Sequence, residues 1–517
     1  MTKKNDSYWK VRMAALEDER YSRSSAYYRD LEKQFREASN DIQMDIERWY
    51  NRLADNNGIS YAKARKMLKA NELEEFKWTV QKYITAGKEN AIDERWMKEL
   101  ENASARYHIS YLEAMKLQIR QHAELLFTAY EGGMTEFLQN TYSENYYHSA
   151  FEVARGTGVG SNLVRLDTKK IDTLIRKPWA QDGSSFSDRI WSNKEKLVNK
   201  LHTELSQSMI RGSDPKKAIR NLAQVMDVSR SQAGRLIMTE SAAIASSAQK
   251  DCFKGLGVEQ YEILATLDTR TSEICRDMDG KVFDMKDYEV GVTAPPFHPH
   301  CRTTTVPHFD DEFSAVEMRA ARDPVTGKSV EVSASMTYKQ WHEEFVKTDP
   351  QAVLLEKLQK NKASDKSQYE RYKEILGKEA PKSLDSFQRL KYTDSEAWNT
   401  QKREYATISK IKSKDSYTDA YREKMLATYY DFKESGYEFT DHSLNRFLGQ
   451  KSGKGKRAFG KEDLLRILDK DINYMEEGNR TVKFYDGLSI IQNKDTKEVV
   501  SVIARENPKK GWERNDK

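Results

Sequence analysis

Apolar and aromatic residues recur at spacings of three and four over the first 150 residues, with charged residues between them. The spacing is illustrated by Phe76, Val80, Tyr83 and Ile84. Because an α-helix completes a turn every 3.6 residues, this pattern gathers the apolar positions on one face and indicates amphipathic helices. The same pattern returns over 216–250, and in a more charged form over 350–430, where Pro381 interrupts it. The sequence therefore predicts a mainly α protein.

Alternation with a period of two, which is typical of a half-buried β-strand, begins only at 261–267. It returns at 481–493 and 499–505, after a short helical pattern that starts near Gly436. We therefore expect a small α+β segment around 258–310 and a small α+β domain at the carboxyl end. The predicted regions are an N-terminal helical region (1–155), a central domain (156–345), a charged helical linker (346–435) and a small basic α+β module (436–517).

Composition narrows the choice of function less than the pattern does. The chain has 517 residues, which exceeds what one hydrophobic core usually serves and predicts several domains. Its 86 basic and 81 acidic residues leave a net charge of only +5, so strong, salt-resistant DNA binding is not expected. Within 441–517 there are 17 basic and 13 acidic residues, so +4 of this surplus lies in that C-terminal segment.

The sequence shows no sign of a membrane span or of a secreted disulfide scaffold. No run approaches the roughly 18 apolar residues that a spanning helix needs, and the first ten residues lack the apolar stretch of a signal peptide. Three cysteines are too few for a disulfide framework. We expect a soluble intracellular protein whose cysteines are thiols, with Cys252 as a small core residue.

The segment 267–302, called here the Cys/His segment, concentrates metal-binding side chains. Its 36 residues hold two of the three cysteines, two of the nine histidines and two consecutive prolines. The order Cys-x22-His-x-His-Cys supplies sulfur and nitrogen donors, which zinc prefers in a tetrahedral set of four. An adjacent histidine and cysteine can hardly both bind one ion without strain. The expected structural zinc ligands are therefore Cys275, His298 and Cys301, with Asp268 or His300 as the fourth donor.

Two other interpretations of the Cys/His segment remain open. In the first, it is a tightly hydrogen-bonded β-hairpin in which Asp268, Arg270 and Arg302 pair, Gly280 turns the chain and Pro295-Pro296 stiffens the approach. In the second, Cys275 and His298 form a catalytic dyad, because thiolate and imidazole are the parts of a cysteine nucleophile. No oxyanion-hole signature accompanies such a dyad, and metal analysis distinguishes the three interpretations.

The Cys/His segment resembles the head morphogenesis, or minor capsid, family of tailed bacteriophages, which is related to the Mu F-like proteins. The resemblance rests on Leu267-Asp268-Thr269-Arg270-Thr271, Cys275, Asp279-Gly280-Lys281-Val282-Phe283, Pro295-Pro296, His298 and Cys301-Arg302. It extends back to Phe186-Ser187-Asp188-Arg189-Ile190-Trp191 and Thr239-Glu240-Ser241, and forward to Met336-Thr337-Tyr338-Lys339-Gln340-Trp341. Together these motifs cover roughly 8–345. Ser272 occupies a place where a further cysteine would not be surprising.

This resemblance implies a minor structural protein of a phage or prophage head, present in few copies. Such a protein contacts the portal and assists head assembly, DNA packaging or DNA delivery. The implied partners are the portal protein, the scaffold or major capsid protein, and, weakly, the phage DNA. The implied location is the virion, which is assembled in the cytoplasm of the host bacterium.

The C-terminal module resembles the barnase, EndoU and RelE-like nuclease fold appended to some phage head proteins, in which a helix precedes a small antiparallel sheet. The similar features are His442 and Arg446 on one helical face, the loop Lys451 to Arg457, two strands, and Lys509-Lys510-Gly511-Trp512. The resemblance implies an RNA substrate, with His442 as general acid or base and Arg446 or Lys483 stabilising developing charge. Ser501 and Trp512 would approach that substrate. The alternative is an exposed helix on which His442 and Arg446 cap or pair, with Trp512 closing a small core and no catalysis.

Overall fold

The computed structural model describes residues 6–53, 63, 65–89, 94–106, 108–157, 166–309, 318–333, 335–450 and 459–515. The chain folds into two compact units, Met1–Ala352 and Val353–Lys517. The loop predicted at Lys451 to Arg457 lies outside the described residues. The four-region division drawn from the sequence stays a prediction. Among the described residues, no helix combines the length and the apolar character that crossing a bilayer requires.

Long helices dominate the first unit. They are α1 (Asp6–Leu53), α2 (Ala70–Glu89), α3 (Glu94–Ala105), α4 (Tyr111–Thr157), α5 (Thr168–Arg176), α6 (Phe186–Ile210) and α7 (Pro215–Gly255). Helices α1, α4 and α7 pack against one another, and α6 packs on α4 and α7. Helix α6 begins at a capping box, in which Ser185 and Asp188 satisfy each other's backbone N–H groups. Helix α7 begins at Pro215 with Asp214 as its N-cap.

One hydrophobic core runs through this helical bundle and includes Leu31, Phe127, Leu201 and Ile237. An ion pair is enclosed within the bundle: Lys194 Nζ lies 2.9 and 3.0 Å from the two carboxylate oxygens of Glu124. The two charges stabilise each other because water reaches neither side chain. The mainly α fold class predicted from the 3.6-residue period is confirmed.

Two small β-structures complete the first unit. Strands β1 (Gln260–Leu264), β2 (Val282–Asp284) and β3 (Thr304–His308) form an antiparallel sheet in the order β2-β1-β3, and helix α8 (Glu273–Met278) lies between β1 and β2 in sequence. Strands β4 (Met318–Arg322) and β5 (Ser329–Ser333) form a hairpin, followed by helix α9 (Tyr338–Trp341). Strand β3 packs on α1 and α7. The small α+β segment expected around 258–310 is thus present.

The second unit combines helices with a five-stranded antiparallel sheet. The helices are α10 (Pro350–Lys360), which begins just before the boundary between the units, α11 (Lys362–Leu376), α12 (Leu384–Thr393), α13 (Ser395–Ser413), α14 (Asp419–Glu434), α15 (Asp441–Leu448) and α16 (Lys461–Leu468). The strands are β6 (Tyr474–Glu476), β7 (Arg480–Tyr485), β8 (Leu488–Asn493), β9 (Val499–Ala504) and β10 (Glu513–Arg514), in the order β10-β6-β7-β8-β9. The expected C-terminal α+β fold is confirmed.

The charged helices of 362–434 share a core with this sheet. Tyr372, Phe387 and Trp398 from the helices belong to the same buried cluster as Ile490 and Val502 from the strands. Segment 350–430, predicted as a charged linker, therefore supplies a large part of the second unit's core.

Candidate metal centre and the adjoining cleft

Strand pairing closes the Cys/His segment at its base. Leu264, the last residue of β1, pairs with Thr304, the first residue of β3, so the chain between them forms one closed loop. Cys275 lies in α8, whose N-cap Ser272 accepts a hydrogen bond from the Cys275 backbone N–H at 3.4 Å. Cys301 immediately precedes the base of the loop. Because both ends of the loop are fixed, two cysteines that are 26 positions apart in sequence become neighbours.

The three predicted ligands Cys275, His298 and Cys301 form a compact group. Their ligand atoms all lie within 4.8 Å of one another. The two Sγ atoms are 3.6 Å apart, and Cys275 Sγ lies 3.2 Å from His298 Nε2. Zn–S bonds of about 2.3 Å and Zn–N bonds of about 2.0 Å in a tetrahedron give S···S and S···N separations of about 3.8 and 3.6 Å. The spacing of these donors therefore suits zinc with only small adjustments.

The orientation of His298 also suits a metal ligand. Its Nδ1 lies 2.7 Å from the carbonyl oxygen of Pro299, and because a carbonyl can only accept, Nδ1 carries the hydrogen. The lone pair of the neutral ring is then on Nε2, which points to the sulfurs. This arrangement, in which the second ring nitrogen donates to a carbonyl, is the usual way in which proteins orient a metal-binding histidine.

The electrostatics of the two sulfurs favour a thiolate. Hydrogen bonding with Cys275 and the proximity of His298 hold the pKa of Cys301 well below its ordinary value, although burial opposes the change. The pKa of Cys275 is raised, because its thiol donates to Cys301 and is itself buried. Hydrogen bonding to Cys301 raises the pKa of His298. Cys301 therefore carries negative charge readily, whereas Cys275 would lose its proton only on binding a metal ion.

The two residues expected to offer a fourth donor lie outside this group. Asp268 accepts hydrogen bonds from Arg302 at 2.5 Å, from the Arg270 backbone N–H at 2.9 Å and from the Thr271 hydroxyl at 3.1 Å, so both of its carboxylate oxygens are engaged. His300 is exposed in a left-handed conformation with φ of 61°. Three of the five predicted residues thus come together, and the ion pair that the hairpin interpretation invoked is present beside them.

The same geometry does not favour a Cys275–His298 nucleophilic dyad. A cysteine nucleophile needs an accessible thiolate with a lowered pKa. Cys275 is 1% exposed and its pKa is raised. The sulfur with the lowered pKa is that of Cys301, which is equally buried.

A buried arginine connects the N-terminal helix to the Cys/His segment. Arg20 of α1 is 1% exposed and donates to the carboxylate of Glu17, to Ser241 Oγ at 2.7 Å and to the Cys301 carbonyl at 3.5 Å. Burial raises the pKa of Glu17, an effect that its pairing with Arg20 offsets in part. One side chain therefore contacts α1, α7 and the chain at Cys301.

A cleft of about 900 Å³ adjoins the metal candidate and shares His298 with it. One lining residue is Glu240, whose carboxylate accepts from Trp179 Nε1 at 2.8 Å and from Arg189 Nη1 at 2.5 Å. Arg189 also donates to Asp182 at 2.7 Å. Burial raises the pKa of Glu240 despite these partners.

Sequence reasoning did not assign a binding role to the residues of this cleft. It quoted Arg189 and Glu240 only as parts of two separate motifs. The available signal was Glu240, a charged residue in a stretch of otherwise small or apolar residues, whereas Arg189 stands beside Asp188 in a charged helix. Their pairing depends on how α6 and α7 align, which local spacing does not reveal.

The five nuclease candidates lie on helix α15, on strands β7 and β9, and just before β10. His442 and Arg446 are exposed on α15, which is anchored to β9 by a hydrogen bond of 2.7 Å from the Ser443 hydroxyl to the Val499 carbonyl. Lys483 donates to the Leu468 carbonyl, and burial lowers its pKa.

Ser501 and Lys483 lie on opposite faces of this sheet. Lys483 pairs with Ile490, whereas Ser501 pairs with the next residue, Ile491, and successive side chains of a strand point to opposite faces. Trp512 packs on Phe484 and donates to Glu476 at 3.2 Å. The assignment of a nuclease site to these five residues stays a prediction.

No curated protein and no solved structure is significantly similar to this chain. One family model matches it over residues 199–306, which start within α6, include all of α7 and end in β3. The matched range therefore contains the three grouped metal ligands and Glu240. Its description is Phage Mu protein F like protein, and the match supports, for residues 199–306, the phage head morphogenesis family that the motifs of the Cys/His segment indicate.

Proposed function

We propose that this chain is a minor structural protein of a tailed-phage or prophage head, which binds the portal and assists head assembly, DNA packaging or DNA delivery. The observation that carries the proposal is the match of 199–306 to the Mu F-like family. The matched range contains the three candidate metal ligands Cys275, His298 and Cys301. The chain is assembled into the virion in the host cytoplasm. Scaffold or major capsid protein is a further partner, and contact with DNA is weak because the net charge is only +5.

Within this function, Cys275, His298 and Cys301 hold a structural zinc ion. The ion supplies a cross-link that fixes the Cys/His segment on the sheet, in a reducing compartment where a disulfide would not persist. The spacing of the sulfurs and the orientation of His298 support this role. The fourth donor comes from outside these three side chains.

Portal binding is tested by sedimentation of the purified full chain with the portal protein encoded beside it. We expect the two to migrate together at micromolar concentrations, and we expect virions purified on a gradient to contain the chain in few copies. Virions that lack the chain, together with an absence of association in solution, would contradict the proposal. A portal gene immediately upstream would support it independently.

A ribonuclease activity of the C-terminal module is the second candidate function. The observation that favours it is that His442 and Arg446, four residues apart on one helix, are both exposed beside a small antiparallel sheet. The full chain is incubated with RNA, and the variant His442→Ala is compared with His148→Ala, which removes an exposed histidine of the first unit. Loss of cleavage only in His442→Ala supports the assignment, and equal cleavage by both variants contradicts it.

A further inference from the structure

We propose that Cys275 and Cys301 are a site of oxidative modification, at which a peroxide converts the two thiols into a disulfide. The disulfide replaces the metal as the cross-link that closes the Cys/His segment. This inference deepens the proposed function, on which it rests for the zinc ion that the oxidation releases. The change suits a virion protein, which is assembled in a reducing cytoplasm and later meets an oxidising exterior.

The two sulfurs are already in contact. Their Sγ atoms are 3.6 Å apart, against about 2.05 Å in a disulfide, so the sulfurs must approach each other by only about 1.5 Å. Both side chains share this displacement when each rotates about its Cα–Cβ bond. Cys252, the third cysteine of the chain, is buried in a different hydrophobic cluster. The geometry therefore favours a disulfide between Cys275 and Cys301.

Contacts that do not involve the sulfurs hold the two cysteines near each other. Leu264 pairs with Thr304 at the base of the Cys/His segment. Asp279, the C-cap of α8, accepts hydrogen bonds from the backbone N–H groups of Ala265 at 2.7 Å and Tyr338 at 2.6 Å. Loss of the metal therefore leaves the sulfurs close together, and oxidation needs no rearrangement of the sheet.

A small oxidant can enter from the side of His298. This side chain is partly exposed, lines the cleft of about 900 Å³ and has its Nε2 atom 3.2 Å from Cys275 Sγ. The next residue, Pro299, is exposed and lines the same cleft. Cys275 and Cys301 are each 1% exposed, which shields them from bulky oxidants, whereas hydrogen peroxide is little larger than water. A peroxide is therefore the class of oxidant that suits this site.

The oxidation takes place in two steps. In the first, a lone pair of one sulfur attacks a peroxide oxygen, the O–O bond breaks, and a sulfenic acid and water form. In the second, the other sulfur attacks the sulfenic sulfur, the S–S bond forms, the S–O bond breaks, and a second water leaves. The two sulfurs together lose two electrons, which reduce the peroxide, and their two protons leave in the water molecules. Where the sulfurs are zinc-bound thiolates, solvent supplies these protons, and loss of both donors releases the ion.

The experiment treats the full chain with hydrogen peroxide in two arms. In one arm the chain is loaded with zinc, and in the other it is reduced and stripped of metal before the reductant and chelator are removed. Free thiols are counted after denaturation, released zinc is measured with a chromogenic chelator, and cross-linked peptides are identified by mass spectrometry. The variants Cys275→Ser and Cys301→Ser each remove one member of the pair, and Cys252→Ala is the matched control that keeps both.

In both arms, we expect the wild-type chain to fall from three free thiols to one and to yield a peptide cross-linked between Cys275 and Cys301. The zinc-loaded chain should release one zinc ion for each disulfide, and a thiol reductant should restore both thiols. Cys252→Ala should yield the same cross-linked peptide, and neither serine variant should yield it. The oxidised, metal-free chain should melt about 5 °C above the reduced, metal-free chain, because the disulfide closes the same loop.

Four results would overturn the inference. The first is a wild-type chain that keeps all three thiols in millimolar peroxide, and the second is a sulfinic acid on one cysteine of the pair while the other stays a thiol. The third is a cross-link to Cys252 or to a second chain. The fourth is a disulfide that leaves the melting temperature of the metal-free chain unchanged.

The outcome for the disulfide is separate from the outcomes for zinc and for the portal. A chain that forms the disulfide without ever binding zinc would support the oxidation site and contradict the structural zinc. A chain that binds zinc but forms no disulfide would overturn the inference and leave the zinc site intact. None of these measurements depends on portal binding, which is tested independently.

Discussion

Removal of the metal, or of its sulfur ligands, should destabilise the first unit by a measurable amount. The perturbation is the double variant Cys275→Ser/Cys301→Ser, or treatment of the wild-type chain with a chelator. Both sulfurs are 1% exposed and lie 3.6 Å apart, so serine replacement keeps the shape of the site while removing the donors that zinc prefers. We therefore expect loss of metal without collapse of the surrounding sheet.

The magnitude follows from linkage. A ligand that binds only the folded state at a free concentration of about 1,000 times its dissociation constant stabilises that state by about 4 kcal/mol. A chain-entropy estimate for a cross-link that closes a loop of this length gives a similar figure, about 3.5 kcal/mol. The first unit extends over Met1–Ala352. At an unfolding entropy of about 2.1 cal/mol/K per residue, 4 kcal/mol corresponds to a drop of about 5 °C in the melting temperature.

The assay combines metal analysis with thermal unfolding of the full chain. Wild-type protein should contain one zinc ion per chain and lose about 5 °C on chelation. The double serine variant should contain none and be insensitive to chelator. Cys252→Ala is the matched control, because Cys252 is a buried thiol in a different hydrophobic cluster. This variant should keep its zinc. Two results together would refute the reasoning. The wild-type protein would lack stoichiometric zinc after expression in zinc-supplemented medium, and its melting temperature would not change on chelation.

Two other predictions concern buried charges of the first unit. Replacing Arg20 by Met leaves Glu17 buried without its partner, so the free energy of unfolding measured in denaturant should fall by about 3–5 kcal/mol. The double variant Glu17→Leu/Arg20→Met removes both charges and should recover much of this loss. Equal losses in the two variants would contradict the pairing. The raised pKa of Glu240 means that its neutral form is favoured in the folded state, so the wild-type chain should lose stability relative to Glu240→Gln as the pH rises from the ordinary glutamate value through the Glu240 pKa. Parallel stability curves for the two proteins between pH 4 and 8 would show that Glu240 does not titrate as described.

The fold was predictable wherever one physical signal dominated. Amphipathic spacing predicted the helices of the first unit, and alternation predicted β1 and β9, because both patterns arise from burial of one face. The predicted strand at 481–493 is divided into β7 and β8, and the short strands β6 and β10 were not predicted. The charge of 350–430 obscured the fact that Tyr372, Phe387 and Trp398 occupy the buried faces of short helices. Widely spaced aromatic residues can form a core even though most of the positions between them are exposed to solvent.

The candidate site was predictable only in its rarest residues. Cysteine and histidine are scarce in this chain, so their spacing pointed to Cys275, His298 and Cys301, which the structure groups. The sequence left two roles open for Asp268, a zinc ligand or a partner of Arg302, and the structure shows the pairing with Arg302, which the β1–β3 pairing brings beside it. The cleft was missed because it exists only after two helices have aligned.

The functional unit is larger than the range that the family model matches. Residues 199–306 contain Ser241, Glu240 and Cys301 but not the side chains that satisfy them. Arg20 on α1 donates to Ser241 and to the Cys301 carbonyl, and Arg189 with Trp179 neutralises and hydrogen-bonds Glu240. An isolated 199–306 fragment would leave Glu240 without Arg189 and Trp179, and Ser241 and the Cys301 carbonyl without Arg20. The contacts that hold Glu240, Ser241 and Cys301 therefore begin on α1 and α6, outside the matched range.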